Sequence, residues 1–286
     1  MAASFGCLHC RAGGDIATRS GRPVGFAAGT AGIVSVLIVS DLAKAYGGVR
    51  AVDGVSFAVE AGERVALIGP NGAGKTTLFN AIHGQVRPDA GQVILGDREI
   101  TGLAPHRVWR HGVGRTFQIT ATFMSMTVIE NVQVALASHH RVAARLGRAL
   151  RHRYRDEAGA LITQVGLGDA AERAVSELAY GDLKRLELAV ALTNEPFLLL
   201  MDEPTAGMAG DGRGQMMALV DRLVSDVGVA VLFTEHDMDV VFGHADRVIV
   251  LDRGRVIASG SPEAVRANAD VRAVYLGTYD DEEAVT

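Results

Sequence analysis

The sequence predicts an α/β fold built on buried parallel strands. Three observations carry that expectation. A glycine-rich loop joins a strand-like run, Glu63–Gly69, to a helix-like one starting at Lys75. Two later apolar runs, Phe197–Met201 and Val229–Thr234, each end abruptly in acidic residues, as strands covered on both faces do. The composition, with 34 Gly and only 5% aromatic residues, suits an aliphatic core with many short loops. At 48% hydrophobic and 21% charged the chain is not mostly disordered. Its 286 residues suffice for one large or two small domains. The net charge of −5 offers no whole-chain basic field for nucleic acid. Two cysteines cannot staple a domain of this size, so a reduced, intracellular setting is expected.

Taken in order, residues 1–35 are rich in Gly, Ala, Ser and Thr without a period, and read as a disordered extension. The charge-free stretch between Arg22 and Asp41 nears the lower length of a membrane span. Pro23, Gly25, Gly29 and Gly32 interrupt it, however, and Val36–Val39 reads as a first strand. Cys7 and Cys10 form a lone CxxC with no second ligand pair, so no metal is assigned to them. Of the 28 Lys and Arg residues only Lys44, Lys75 and Lys184 are lysine. Gene base composition explains such a bias, and it makes Lys75 conspicuous.

Gly69-Pro70-Asn71-Gly72-Ala73-Gly74-Lys75-Thr76-Thr77 is a phosphate-binding loop. Glycines let backbone N–H groups curl around phosphate oxygens without Cβ clashes. Lys75 adds a point charge for the β- and γ-phosphates, and the Thr76 hydroxyl is suited to Mg²⁺. The following helix, Lys75–His83, offers its positive end to the anion and is closed by Gly84. Such a loop alone does not choose among kinases, GTPases and ATPases.

The next strand tip narrows the choice. Asp202, at the end of the 197–201 run, is placed to hold Mg²⁺. Its neighbour Glu203 is placed to polarise an attacking water. The strand Val229–Thr234 ends in Glu235-His236, and His236 at this third tip is a candidate γ-phosphate contact.

Between Gln118 and Leu178 the pattern turns helical. Thr127-Val128-Ile129-Glu130 is a capping box opening a helix that runs to about Ser138. Six Arg residues crowd 141–155; they suit either anionic lipid head groups or a solvated face. A helix over 156–165 and another from Gly181 to about Thr193 follow. After His236, Asp246–Gly260 reads as a hairpin turning at Arg253-Gly254, and Ser261-Pro262 starts a further helix. Asp280–Glu283 form an acidic, solvated tail.

With these residues in place, positions 36–277 resemble the nucleotide-binding subunits of ATP-binding cassette (ABC) transporters. Gly69, Asn71, Gly72, Gly74, Lys75, Thr76 and Thr77 match Walker A, and Asp202-Glu203 matches Walker B with its catalytic Glu. Tyr46 matches the aromatic residue that stacks on adenine, with Val52 packing beside it. Gln118 matches the glutamine that touches Mg²⁺ and links to membrane subunits. Leu178-Ala179-Tyr180-Gly181-Asp182 matches the signature that meets ATP in trans, Thr205–Ala209 the D-loop, and His236 the switch histidine. The resemblance implies a P-loop NTPase core with an N-terminal antiparallel β-subdomain and an inserted α-helical subdomain over about 119–195. Two departures stand out. The family signature usually carries Ser and Gln where this chain has Ala179 and Asp182. Loss of one charge-assisted hydrogen bond to phosphate is worth about 1.5–3 kcal/mol.

Within the family the chain looks most like branched-chain amino-acid importer ATPases. The pointers are Tyr180 in the signature, Phe233–Met238, Val271–Gly277 and the Arg-rich connection. The resemblance implies a Mg²⁺-dependent ATPase that pairs with a second ATPase subunit, identical or related. It also implies two transmembrane permease subunits, indirectly a substrate-binding protein, no nucleic acid, and a place on the cytoplasmic face of the membrane. The same motifs fit import of urea or amides, lipid export, and a non-transport ATPase of translation or DNA repair. The last class usually carries two cassettes or long coiled coils, whereas this chain has one cassette and no sustained heptads.

Overall fold

A long, bent hairpin opens the described chain. The structure is a computed structural model that describes residues 35–116, 122–140 and 153–273. Strand β1 (Ser35–Tyr46) pairs antiparallel with β2 (Val49–Glu60) and extends well past the four residues the sequence suggested. Register shifts bend it, and its far edge pairs with β4 (Ala90–Leu95), which is followed by the short β5 (Arg98–Glu99). These form an antiparallel sheet of order β2-β1-β4-β5. One face, carrying Leu37, Val39, Leu42, Val55 and Val93, is buried.

Between β2 and β4 lie β3 (Arg64–Ile68) and α1 (Lys75–His83), which is closed by Gly84 in the left-handed region as expected. Then come α2 (Pro105–Arg110), β6 (Val113–Thr116), α3 (Val128–His139), α4 (Arg155–Gln164) and α5 (Tyr180–Leu192). The chain continues with β7 (Leu198–Asp202), α6 (Gly210–Val227), β8 (Ala230–Thr234) and α7 (Met238–His244). The hairpin β9 (Arg247–Asp252) and β10 (Arg255–Gly260) turns at Arg253-Gly254, both at positive φ. Ser261 then caps α8 (Pro262–Ala267). The Thr127 capping box is complete, with both reciprocal hydrogen bonds formed.

The second sheet has order β10-β9-β3-β8-β7-β6 and is parallel apart from β10. Its central strands β3, β8 and β7 are apolar along their interiors because alternate residues enter two different cores. Val65, Leu67, Leu198, Leu200, Ala230 and Leu232 face the antiparallel sheet and α1. Ala66, Ile68, Leu199, Met201, Val231 and Phe233 face the helices. The helices over 128–192 share that second core: Val128, Ile162 and Leu188 pack in one cluster with Ile68 and Leu199.

Neighbouring strands β3, β8 and β7 point the same way, with Leu67 in register with Thr234, and Thr234 with Asp202. The segments that leave them therefore emerge along one edge, where ligands of such sheets bind. Among the described residues no helix is long and apolar enough to cross a membrane. The extension 1–34, Cys7 and Cys10, Gln118, the arginines at 141, 145, 148 and 151, and the acidic tail lie outside the described residues.

Candidate functional site

The loop from Gly69 to Gly74 is held by backbone packing as much as by its own turns. A Cβ on the buried Gly69 would stand 2.1 Å from the carbonyl oxygen of Leu251 in β9. At Gly74, with φ +105°, a Cβ would stand 2.1 Å from the Ala51 carbonyl oxygen in β2. The first hairpin and β9 thus grip the loop from two sides, and the Gly254 N–H donates to the Ala73 carbonyl at 2.8 Å. Asn71 and Gly72 lie exposed at the tip. The Lys75 ammonium donates to the Gly69 and Pro70 carbonyls at 2.5 and 3.1 Å. Burial pushes its pKa down, and the charges of Glu203 and Asp202 oppose that shift. Thr76 is exposed and Thr77 half-buried in the first turn of α1.

The two carboxylates are placed differently. Asp202 ends β7; its Oδ1 accepts the Thr234 hydroxyl at 2.8 Å, and its Oδ2 lies 3.8 Å from the buried Arg115 guanidinium. Burial lowers the Arg115 pKa, and Asp202 partly restores it. Glu203 follows with φ +51°, an uncommon conformation for a residue other than glycine. Its N–H donates to the Thr234 carbonyl at 3.1 Å, which turns the carboxylate out of the sheet. There Oε1 meets Nε2 of His236 at 2.9 Å. Glu203 is 20% exposed and His236 46%, so the pair is open on one side.

Sequence reasoning missed the group behind this pair. Glu235 is buried, and its Oε1 accepts both the N–H and the hydroxyl of Thr205 at 2.7 Å. Arg213, in the first turn of α6, pairs with Asp237, the N-cap of α7. The available signal in the sequence is an acidic residue directly after an otherwise buried strand.

Residues 178–182, read from the sequence as resembling the signature, stand at the start of α5. Ala179 is its N-cap and supplies no side-chain acceptor, while Leu178 packs on the core beside it. Tyr180 is exposed and Gly181 half-buried. Asp182 lies 3.9 Å from Arg185, which reaches Gln215 of α6 at 2.7 Å. Tyr46, at the end of β1, is 50% exposed, with the Lys44 ammonium 5.5 Å from its ring centre. Val52, in register with Lys44 of β1, is fully buried among the core valines.

The donor set suits a magnesium nucleotide. Thr76 and Asp202 are hard oxygen donors of the type Mg²⁺ prefers. Among the described residues no group of three His, Cys, Asp or Glu holds a metal by itself. A bound Mg²⁺ would therefore take its other ligands from phosphate and water. Glycine at 69 and 74 lets β9 and β2 pack directly on the loop backbone, which holds its shape, and Gly72 at the exposed tip has open space around it.

Residues 52–206 match the ABC transporter family, and residues 255–281 match a family described as branched-chain amino acid ATP-binding cassette transporter. The chain is 40% identical over 249 residues to the high-affinity branched-chain amino acid transport ATP-binding protein BraF of Pseudomonas aeruginosa, covering 85% of this chain and 98% of that one. LivG of Escherichia coli, with the same description, is 38% identical with the same coverage. A probable LivG of Archaeoglobus fulgidus is 34% identical over 258 residues, covering 87% and 98%. Among solved structures, a nucleotide-free ATP-binding cassette from an ABC transporter superposes with a TM-score of 0.74 at 28% identity, covering 84% and 98%. An ATP-binding cassette in its ADP conformation gives 0.75 at 28%, covering 85% and 99%.

Proposed function

The chain belongs to the ABC transporter family, and from that premise we propose that it is the ATP-binding and hydrolysing subunit of an importer for branched-chain amino acids. The observation that carries the catalytic part is the meeting of Glu203 and His236, 2.9 Å apart on neighbouring strand tips, beside the loop that holds Lys75. The similarity to BraF and LivG over nearly their whole length carries the substrate part.

In this proposal the N–H groups of the 69–74 loop and of the first turn of α1 bind the phosphates, and Lys75 places its charge on the β- and γ-oxygens. Tyr46 stacks on the adenine. Thr76, Asp202 and Gln118 hold Mg²⁺, which when bound neutralises charge on the β- and γ-phosphates. Glu203 accepts the proton of the water that attacks the γ-phosphorus, and ADP and inorganic phosphate leave. His236 orients that carboxylate and contacts the γ-phosphate. A second ATPase subunit, identical or related, packs head to tail. The signature residues Leu178, Ala179, Tyr180, Gly181 and Asp182 then face the ATP held by the partner. Two membrane permease subunits, fed by a substrate-binding protein, take up the motion through the Gln118 loop and the helices over 128–192. The subunit sits at the cytoplasmic face of the membrane.

Glu203→Gln tests the chemistry. It keeps ATP binding and lowers turnover about a hundredfold or more; unchanged turnover overturns the assignment. The same variant, pulled down with ATP from detergent-solubilised membranes, tests the assembly. Two membrane subunits and an ATPase partner are the expected companions, and recovery of ribosomes or of this chain alone overturns the importer assignment.

A further inference from the structure

The loop between β7 and α6 is fastened inside this chain at two points. At its start, Glu235 binds both donors of Thr205 through Oε1 at 2.7 Å, while its Oε2 accepts the His236 N–H at 3.3 Å. One buried carboxylate therefore fixes the spacing between this loop and the histidine that meets Glu203. Farther along, Gly207 has φ +76°, and a Cβ built on it would stand 3.1 Å from Cε1 and 3.5 Å from Cζ of Tyr180. The Tyr180 ring rests against the open side of that glycine. The same ring lies 5.8 Å from the Lys184 ammonium, which is buried and paired with Glu187 at 3.2 Å one turn along α5. Between the two points the Ala206 and Met208 N–H groups donate to the Glu203 and Thr205 carbonyls at 3.2 and 3.1 Å. These turns leave little slack.

Building on the ATPase assignment above, we infer that residues 205–209 form a strut with Glu235 and Tyr180 as its positioning residues. Glu235 holds one end against the Glu203–His236 pair. Tyr180, seated on Gly207, holds the signature helix to the other. In a head-to-tail pair, Glu203 and His236 serve one nucleotide and residues 178–182 serve the other. The strut joins the two within one chain.

The test uses the full chain in its assembled transporter. Tyr180→Ala and Gly207→Ala are made singly and together, with Tyr180→Phe, Glu235→Ala and Glu235→Gln. Each alanine variant is expected to lower kcat about tenfold, while a fluorescent ATP analogue binds the isolated chain within about twofold of wild type. Tyr180→Phe keeps the ring edge that touches Gly207 and recovers most of the loss. The Tyr180→Ala/Gly207→Ala double variant loses no more than the worse single one, because the Cβ added at 207 crowds the same ring that Tyr180→Ala removes. Amide hydrogen exchange at 205–209 rises in Tyr180→Ala and Glu235→Gln alike, and the Gln variant covers the case in which Glu235→Ala does not fold. Additive losses, or unchanged exchange at 205–209 in Tyr180→Ala, overturn the strut. A wild-type chain that binds no ATP overturns the ATPase assignment instead, and the exchange measurement then decides the strut by itself.

Discussion

His83 closes α1 where a charge is not tolerated. Burial, seconded by the neighbouring Arg115 charge, depresses its pKa from 6.5 to about 4. The unfolded chain therefore holds a proton on this ring, between those two values, that the folded chain does not. Stability from this site is complete above pH 6.5 and is lost as pH falls towards 4, by about 3 kcal/mol in all. His83→Gln removes the titration, so urea midpoints measured between pH 7 and 4 fall less steeply in the variant. A wild-type acid limb that the substitution leaves unchanged would disprove the assignment. Glu203 shows a different economy at the same scale. Its positive φ goes with the hydrogen bond from its N–H to the Thr234 carbonyl, and from that turn the carboxylate meets His236.

At the scale of elements, fit explains more than propensity does. Gly74→Ala pushes a Cβ into the Ala51 carbonyl, whereas Gly72, at φ +82°, has open space around it. Gly74→Ala is therefore expected to abolish binding of a fluorescent ATP analogue. Gly72→Ala carries only the cost of its left-handed backbone, about 1–2 kcal/mol, and weakens binding without abolishing it; equal losses would show that the hairpin does not grip the loop. For α3, Thr127→Ala removes one half of the capping box and is expected to cost about 1 kcal/mol by urea titration. Much of this was legible in the sequence, because caps, glycine loops and apolar strand runs are local patterns. The helix 75–83, the box at Thr127 and the turn at 253–254 were all read from neighbouring residues. What could not be read needs the chain to fold back on itself. Glu235 meets Thr205 across 30 positions, and the seat of Tyr180 on Gly207 has no spacing rule.

For the whole molecule the deciding fact is that the inserted helices and the parallel sheet share one core. Leu199 of β7 and Ile68 of β3 pack in the same cluster as Val128, Ile162 and Leu188. A helical part with its own core would come apart separately, and chains above about 150 residues often do unfold in steps. Continuity of packing argues for the opposite here. Trp109, the chain's one tryptophan, sits at the joint: its ring meets His139 of α3 edge-on at 5.6 Å, and its neighbour Val108 belongs to the core under the antiparallel sheet. Urea unfolding followed by Trp109 fluorescence and by far-ultraviolet circular dichroism is therefore expected to give one midpoint. Leu199→Ala, fully buried on the helix-facing side, should lower both signals together by about 2–5 kcal/mol. MgATP at about a hundred times its Kd should raise both by about 2.7 kcal/mol. Separate midpoints, or a nucleotide shift seen by one probe alone, would mean that the helices move on a hinge the packing does not show. A single shifted midpoint would mean that the phosphate loop, the sheet and the helices respond as one body, as a subunit must if hydrolysis at one edge is to move a partner bound to its helices.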